Sequence, residues 1–315
     1  MKIRILAAIL IVALLAACGS EGSAPSVATT EPPAAPTDAP PAATEPPAET
    51  QPAETQPAET LPPTEPAPEL SAQPAEAQRV EFQAEDGVAL VGYFYPSKFV
   101  NAPVVVLMHW AGGDQTDWTK VGLVQWLQNR LDQNPIPMDQ VEVYPPMPEA
   151  LSFSVFTFDF RDFGESAAMD GVPFSKLGPG WVMDAKAAYA TAAAMPEVDP
   201  SRVAGIGSSI GADGVVDGCY EDCIGVLSLS PGNYLALLYN DEVKRVDEAG
   251  KPVWCVAAEG DGPAYAACTG AIGEHYFSKF YPGDIHGTAL LMPPNNPPDI
   301  GQVILDWLKT VFSLA

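Results

Sequence analysis

The chain of 315 residues carries a net charge of −25 and divides into two parts of different composition. Residues 19–78 hold 15 of the 34 prolines and ten acidic residues without any Lys or Arg, whereas residues 79–315 have the mixed apolar composition of one folded domain. Because an acidic surface repels phosphate groups, the charge argues against nucleic acid as a partner.

A short apolar run opens the chain. Two basic residues precede the run Ile5–Ala17, which is shorter than the roughly 20 residues that a membrane span needs. The pattern predicts a signal peptide over residues 1–17. The stretch Leu15-Ala16-Ala17-Cys18-Gly19 resembles the bacterial lipobox, which implies cleavage before Cys18 and attachment of diacylglycerol to its thiol. We therefore expect a lipid anchor at Cys18 on the extracytoplasmic side of the inner or outer membrane, with an ordinary secretory signal as the alternative.

The segment from Cys18 to residue 78 is a predicted linker. It repeats Pro-Ala-Glu-Thr at positions 47–50, 52–55 and 57–60. Frequent proline prevents helices and sheets, and the repeated glutamates repel one another. We expect a disordered tether that holds the domain clear of the cell envelope.

The folded part is predicted to begin with two antiparallel strands, Arg79–Phe82 and Val88–Tyr95. Five apolar runs follow, each ending in a turn: Val104–His109, Phe153–Asp159, Val203–Ser208, Val226–Ser230 and Val253–Ala258. Helical stretches alternate with them: Trp118–Leu131, Trp181–Met195, Ile210–Val216, Ala264–Ile272 and Ile300–Phe312. This α/β alternation predicts a mostly parallel central sheet of about eight strands with helices on both faces. A ligand site is expected beyond the carboxyl ends of the strands.

A candidate nucleophile lies between one apolar run and the next helix. The pentapeptide Gly207-Ser208-Ser209-Ile210-Gly211 is a G-x-S-x-G motif in the strand–turn–helix setting that this motif requires. The sharp turn exposes the central Ser209, and the free N–H groups of the helix N-terminus favour developing negative charge. A glycine turn with an incidental serine is the alternative.

A serine nucleophile needs a base and an orienting acid. His286 lies in a glycine-containing loop between the aromatic-rich run Tyr276–Tyr281 and the last helix, which suits a projecting base. We interpret His275 as a surface residue and His109 as a buried, hydrogen-bonded one. The loop after Val253–Ala258 offers Glu259 and Asp261, and Asp261 is favoured because it lies between two glycines.

The oxyanion of an acyl-transfer intermediate needs two backbone donors about 3 Å away. We predict the N–H of Ile210 as one donor and that of Ala111, in the turn His109–Gly113, as the other. This mechanism uses no metal or cofactor. The four cysteines of the domain (Cys219, Cys223, Cys255 and Cys268) permit two disulfides or free thiols, and no further ligands for a Cys-x3-Cys metal site occur nearby.

These motifs together resemble α/β hydrolases. The motifs are His109–Gly113, Asp159–Ser166, the Ser209 turn, the Asp261 loop and His286-Gly287-Thr288. The order is that of the superfamily, and the likeness is greatest to its esterase and dienelactone-hydrolase-like branch. The resemblance implies an α/β-hydrolase fold over residues 79–315 and a Ser-His-Asp triad. Trp110 and Asp162 depart from the usual glycines, and a serine nucleophile argues against dienelactone hydrolysis itself.

The stretch Pro231–Asp247, where many relatives carry a lid, is short and predicts an open site; another insert spans Asn134–Ala150. Three aromatic residues, Trp110, Tyr234 and Tyr239, are candidates either for binding an acyl or aryl group or for packing. The leading hypothesis is hydrolysis of a small-molecule carboxylic ester by a monomer. An amidase or peptidase on the same triad and a non-catalytic binding lipoprotein are the alternatives.

Overall fold

The computed structural model describes residues 68–314. The predicted signal peptide, the lipid anchor at Cys18 and the linker up to residue 67 lie outside the described residues. Within residues 68–314, no helix combines the length and the apolar character needed to cross a membrane. The strands are β1 (Gln78–Gln83), β2 (Ala89–Tyr95), β3 (Ala102–Met108), β4 (Ser154–Asp159), β5 (Val198–Ser208), β6 (Val226–Leu229), β7 (Val253–Ala258) and β8 (Tyr276–Tyr281). The α-helices are α1 (Asp117–Lys120), α2 (Leu123–Gln128), α3 (Gly178–Ala193), α4 (Ile210–Asp217), α5 (Tyr239–Glu248), α6 (Gly262–Gly270) and α7 (Ile300–Val311).

The eight strands form one sheet in the order β1-β2-β4-β3-β5-β6-β7-β8. β2 pairs antiparallel with both β1 and β4, and all other neighbouring strands are parallel. The predicted mostly parallel sheet of about eight strands is confirmed. Because β3 to β8 run in the same direction, the loops that follow them meet at one edge of the sheet.

Strand β3 lies at the centre of the sheet and is buried on both faces, which explains its continuous apolar sequence. Successive side chains point to opposite faces. Val104 and Val106 contribute to the core beside α3, α4, α5 and α6, while Val105 and Leu107 contribute to the core beside α1, α2 and α7. The two helical layers thereby pack against both faces of the strands whose following loops meet at one end of the sheet.

The prediction of one continuous helix over Trp118–Leu131 is wrong. It is divided into α1 and α2 at Gly122, whose φ of +76° is incompatible with a right-handed helix. A Cβ at Gly122 would also lie 2.9 Å from Ile136, so the residue is restricted in space as well. The apolar periodicity continues across the break, but the helical conformation of the backbone does not.

The stretch Pro231–Asp247 is more ordered than the sequence suggests. Its second half forms nearly all of α5, which turns Tyr239 and Val243 into the core and leaves its charged residues outward. The insert Asn134–Ala150 packs against α2, where Tyr144 stacks on Trp126 at 5.0 Å between ring centroids. Neither segment covers the loop edge of the sheet as a separate lid domain.

Residues 68–77, near the C-terminal end of the predicted linker, lie against the domain. Leu70 forms a β-bridge with Phe99, and Ala75 is buried with its carbonyl accepting a hydrogen bond of 2.8 Å from the side chain of Gln128. The segment is fastened through its backbone: the N–H of Ser71 also donates to the carbonyl of Lys98 at 2.8 Å.

Two disulfides close within the domain. Cys219 is bonded to Cys223 just after α4, and Cys255 in β7 is bonded to Cys268 in α6. The sequence left disulfides and free thiols as equal alternatives. The second bond ties the strand before the Asp261 loop to the helix after it.

Candidate active site

Ser209 lies at the sharp turn between β5 and α4. Its φ of 55° and ψ of −115° place it outside the regions that a serine ordinarily occupies. A Cβ at Gly207 would collide with the carbonyl oxygen of Gly211, and a Cβ at Gly211 would collide with that of Met108. The two glycines of the motif therefore allow the strand, the helix and the neighbouring turn to approach one another. Ser209 itself remains 7% exposed at this edge.

His286 and Asp261 are in direct contact. The Nδ1 atom of His286 lies 2.6 Å from Oδ2 of Asp261. A carboxylate accepts, so Nδ1 carries the proton and Nε2 is left as an acceptor. The side chain of His286 is 33% exposed and that of Asp261 only 9%, so the imidazole reaches toward solvent from a sheltered acid. The alternative acid, Glu259, is exposed and follows β7 on the strand side of the loop.

The loop that carries His286 is attached beside Ser209. The N–H of Gly287 donates to the hydroxyl of Ser230 at 2.9 Å, and the N–H of Thr288 donates to the hydroxyl of Ser208 at 2.9 Å. A Cβ at Gly287 would come within 4.0 Å of the backbone nitrogen of Ser209. The structure thus brings Ser209, His286 and Asp261 to one edge of the sheet from three separate loops.

The two predicted oxyanion donors lie in the turns that follow β5 and β3. Ile210 is the first residue of α4, where helix geometry provides no acceptor for its N–H. Ala111 lies in the turn after β3, which the Gly211 contact brings against the start of α4. Among the described residues, no backbone carbonyl accepts from either N–H. Both N–H groups therefore lack a backbone acceptor in the described part of the chain.

His109 is a buried structural histidine, as predicted. Its Nε2 accepts from the N–H of Phe160 at 3.1 Å, and its Nδ1 donates to the carbonyl of Trp110 at 2.7 Å. Burial lowers the pKa of His109, so the neutral ring is favoured. The ring joins the turn after β3 to the turn after β4. His275 is exposed, also as predicted.

A second loop supports the imidazole from the side. The buried carboxylate of Asp213 in α4 accepts hydrogen bonds from the N–H groups of Gly232, at 2.9 Å, and Tyr234. The Tyr234 ring then meets the His286 ring edge to face, with centroids 6.1 Å apart. Burial raises the pKa of Asp213 to about 6.

A cavity of about 370 Å³ opens next to His286. Its apolar walls come from Trp110, which is 38% exposed, and from Val121, Ala289 and Met292. The indole N–H of Trp110 donates to Asp117 at 2.8 Å, which orients the ring. Of the three aromatic residues considered for either substrate binding or packing, Tyr239 packs, because it is fully buried in the core.

The turn after β4 shows why glycine is common at position 162 in the motif. Asp162 adopts a φ of +72°, and its Oδ1 accepts from the N–H of Met169 at 3.0 Å. An aspartate tolerates this left-handed conformation better than most residues because its side chain bonds to nearby backbone. The departure from the motif is confined to the turn.

Three residues of this site escaped the sequence analysis: Ser208, Ser230 and Asp213. Ser208 is a variable position of the G-x-S-x-G motif, and Ser230 ends a run predicted as a strand. Their position at the carboxyl ends of neighbouring parallel strands is the signal that could have identified both serines. No sequence pattern marks Asp213 apart from its place one turn into α4.

No protein-family model matches the chain. The uncharacterized protein YfhR of Escherichia coli K12 is 30% identical over 143 residues, which is 44% of this chain and 40% of that protein. YfhR of Salmonella typhi is 30% identical over 155 residues, 48% of this chain and 42% of that protein. The chain thus spans less than half the length of the curated relatives that it matches.

Solved structures with the same architecture cover far more of the chain. The α/β hydrolase GrgF from Penicillium sp. has a TM-score of 0.53 at 12% identity, covering 76% of this chain and 99% of GrgF. Acetyl xylan esterase 1 from Thermoanaerobacterium sp. has a TM-score of 0.50 at 15% identity, covering 78% and 87%. These likenesses confirm the predicted α/β-hydrolase fold.

Proposed function

We propose that this chain is a serine hydrolase that cleaves carboxylic esters through an acyl-Ser209 intermediate, tethered outside the cell by a lipid at Cys18. The observation that carries the catalytic part is the contact of 2.6 Å between His286 and Asp261 on a loop attached beside the strained Ser209 turn. Strained backbone conformations persist where the surrounding structure supports them, and active sites are enriched in them.

The chemistry follows from the roles of the three side chains. The Ser209 hydroxyl attacks the ester carbonyl while Nε2 of His286 takes its proton, and Asp261 stabilises the imidazolium that forms. The N–H groups of Ile210 and Ala111 stabilise the oxyanion. His286 returns the proton to the leaving alcohol, and water then releases the acid from Ser209 by the same steps.

The size and lining of the cavity support a modest substrate. About 370 Å³ lies at the small end of the range of ligand sites, and the walls near His286 are mainly apolar. An uncharged acyl or aryl group fits the apolar wall, and Asp114, Asp117 and Lys120 line the remainder of the cavity. The structural neighbour named as an acetyl xylan esterase also supports an ester substrate.

Labelling with a fluorophosphonate probe tests the proposal. We expect Ser209→Ala to abolish labelling, and His286→Ala to slow it by at least about 10³-fold, since both act in one catalytic unit. The exposed residues Ser201 and His275 provide matched controls, and Ser201→Ala and His275→Ala should label like the wild type. Absence of labelling in the wild type would indicate a non-catalytic binding protein.

A comparison of p-nitrophenyl esters with peptide anilides identifies the leaving group. We expect turnover of short-chain esters, with Ser209→Ala inactive, and little turnover of anilides. Preferential cleavage of anilides would assign the same three side chains to an amidase or peptidase instead.

A further inference from the structure

The loop after His286 is fastened by two buried serine hydroxyls. The consecutive N–H groups of Gly287 and Thr288 donate at 2.9 Å to Ser230 and Ser208 respectively. Both serines are fully buried, and they follow or end two neighbouring strands, β6 and β5. The loop is therefore attached at two points of the central sheet, directly beside the base.

The backbone conformations show that this attachment is specific. Ser230 has a φ of 58°, a left-handed conformation that costs a non-glycine residue free energy. Gly287 has a φ of 60°, and a Cβ there would collide with the Ser208 hydroxyl oxygen. A serine and a glycine in ordinary turns need neither the positive φ of Ser230 nor the close approach of Gly287 to Ser208. The strain is offset by contacts that bring the histidine loop against the sheet.

The position of Ser208 connects this attachment to the chemistry. Ser208 is covalently adjacent to Ser209, so its hydrogen bond to Thr288 sets how far the base loop lies from the nucleophile. A misplacement of about 1 Å can cost about 10²-fold in rate, because proton transfer requires hydrogen-bond distance. Loss of either hydroxyl also leaves a buried N–H without an acceptor, which favours movement of the loop.

We propose that Ser208 and Ser230 are positioning residues, which hold the loop of His286 beside Ser209 so that the imidazole can reach the Ser209 hydroxyl. The inference rests on the proposed function, since it assigns His286 the role of base. It adds two residues outside the triad and the oxyanion donors, and each acts through the backbone of the histidine loop.

Variants of the full-length chain test the proposal. Ser208→Ala removes one hydroxyl, and Ser230→Gly removes the other while relieving the positive φ, so that folding is preserved. The matched control is Ser154→Ala, because the buried Ser154 hydroxyl accepts a single backbone N–H, that of Ser97, at 3.1 Å and at the opposite edge of the sheet. Melting temperatures identify any variant that fails to fold.

Three readouts separate positioning from general stability. We expect kcat on a p-nitrophenyl ester to fall about 10-fold or more in Ser208→Ala and Ser230→Gly while KM changes less than about twofold. The fluorophosphonate labelling rate should fall in parallel. Amide hydrogen exchange of the peptide covering residues 284–290 should accelerate by about 10-fold or more. Ser154→Ala should change none of the three.

The outcomes distinguish the two hypotheses. Wild-type labelling and turnover with variants that behave like Ser154→Ala would overturn the positioning role, and so would faster exchange without a fall in kcat. If the wild type neither labels nor hydrolyses esters, the proposed function fails. Exchange then decides whether the two hydroxyls hold the loop: acceleration supports the attachment, and unchanged exchange overturns it.

Discussion

Two aspartates on one helix show how strongly local surroundings control a carboxyl group. Asp213 and Asp217 lie one turn apart in α4, and both are buried. Asp213 accepts backbone N–H groups, whereas neither carboxyl oxygen of Asp217 has a hydrogen-bond partner among the described residues. Burial raises the pKa of Asp217 to about 8, with smaller contributions from Asp213 and Glu242 that outweigh those of Arg245 and Lys186.

We therefore expect Asp217 to make the stability of the domain depend on pH. Its pKa is higher in the folded chain than the ordinary 3.8, so its stabilisation is complete below pH 3.8 and is lost as pH rises toward 8. The slope reaches at most about 1.4 kcal/mol per pH unit for one proton. Urea denaturation between pH 4 and 8 should show a flatter profile in Asp217→Asn than in the wild type.

The control for this experiment is Asp222→Asn, which alters an exposed aspartate just beyond the same helix. It should keep the wild-type slope, because an exposed carboxylate has no burial to relieve. An Asp217→Asn profile parallel to that of the wild type would contradict the assignment.

At the scale of elements, one arginine joins three separate parts of the fold. Arg161, after β4, pairs with Asp86 in the turn between β1 and β2 at 2.6 Å and with Asp184 in α3 at 2.7 Å. The Arg161 side chain is buried, and Asp184 is fully so. The turn between the antiparallel strands β1 and β2 is thereby connected to α3.

We predict that Arg161→Met destabilises the domain by about 3–5 kcal/mol, because it leaves the Asp184 carboxylate buried without a cation. Arg79→Met is the matched control, since Arg79 pairs with Glu81 and Glu165 at the surface. Its effect should be much smaller, because exposed ion pairs are screened by solvent. Chemical denaturation measures the free energy of unfolding of both variants. Equal decreases would show that the buried ion pair stabilises the domain no more than the exposed one.

At the scale of the whole molecule, two features underlie the proposed location outside the cytoplasm. Two disulfides form in the domain, and such bonds persist mainly in oxidising compartments. Residues 19–67 are rich in proline and glutamate and contain no basic residue. Their composition agrees with a tether between a lipid at Cys18 and the hydrolase domain.

The tether can be tested by fractionation of cells that express the chain. Cys18→Ala should move the protein from the membrane fraction to the soluble fraction, because it removes the only thiol of the lipobox-like motif. Ser20→Ala, two residues away, should leave the protein in the membrane fraction. Mass spectrometry of the wild type should find acyl chains on Cys18, and an unmodified N-terminal peptide would contradict the anchor.

Much of the fold was accessible from local sequence. The apolar runs of β3, β4 and β7 predicted buried parallel strands, because a strand buried on both faces needs apolar residues at every position. The break at Gly122 was not accessible, since periodicity reports which face is apolar and not the φ of a glycine. Helix α5 was missed because its charged sequence resembles a loop until the core beneath it is known.

The sequence by itself determined the Ser209 turn, the buried role of His109 and the candidate base His286, because each depends on chain neighbours and on strand order. Only the tertiary structure decided that Asp261 rather than Glu259 contacts His286, and that Ser208 and Ser230 hold the histidine loop. These contacts join residues 25 to 80 positions apart. Distances across separate loops are set by the packing of the sheet and its helices, which no local pattern records.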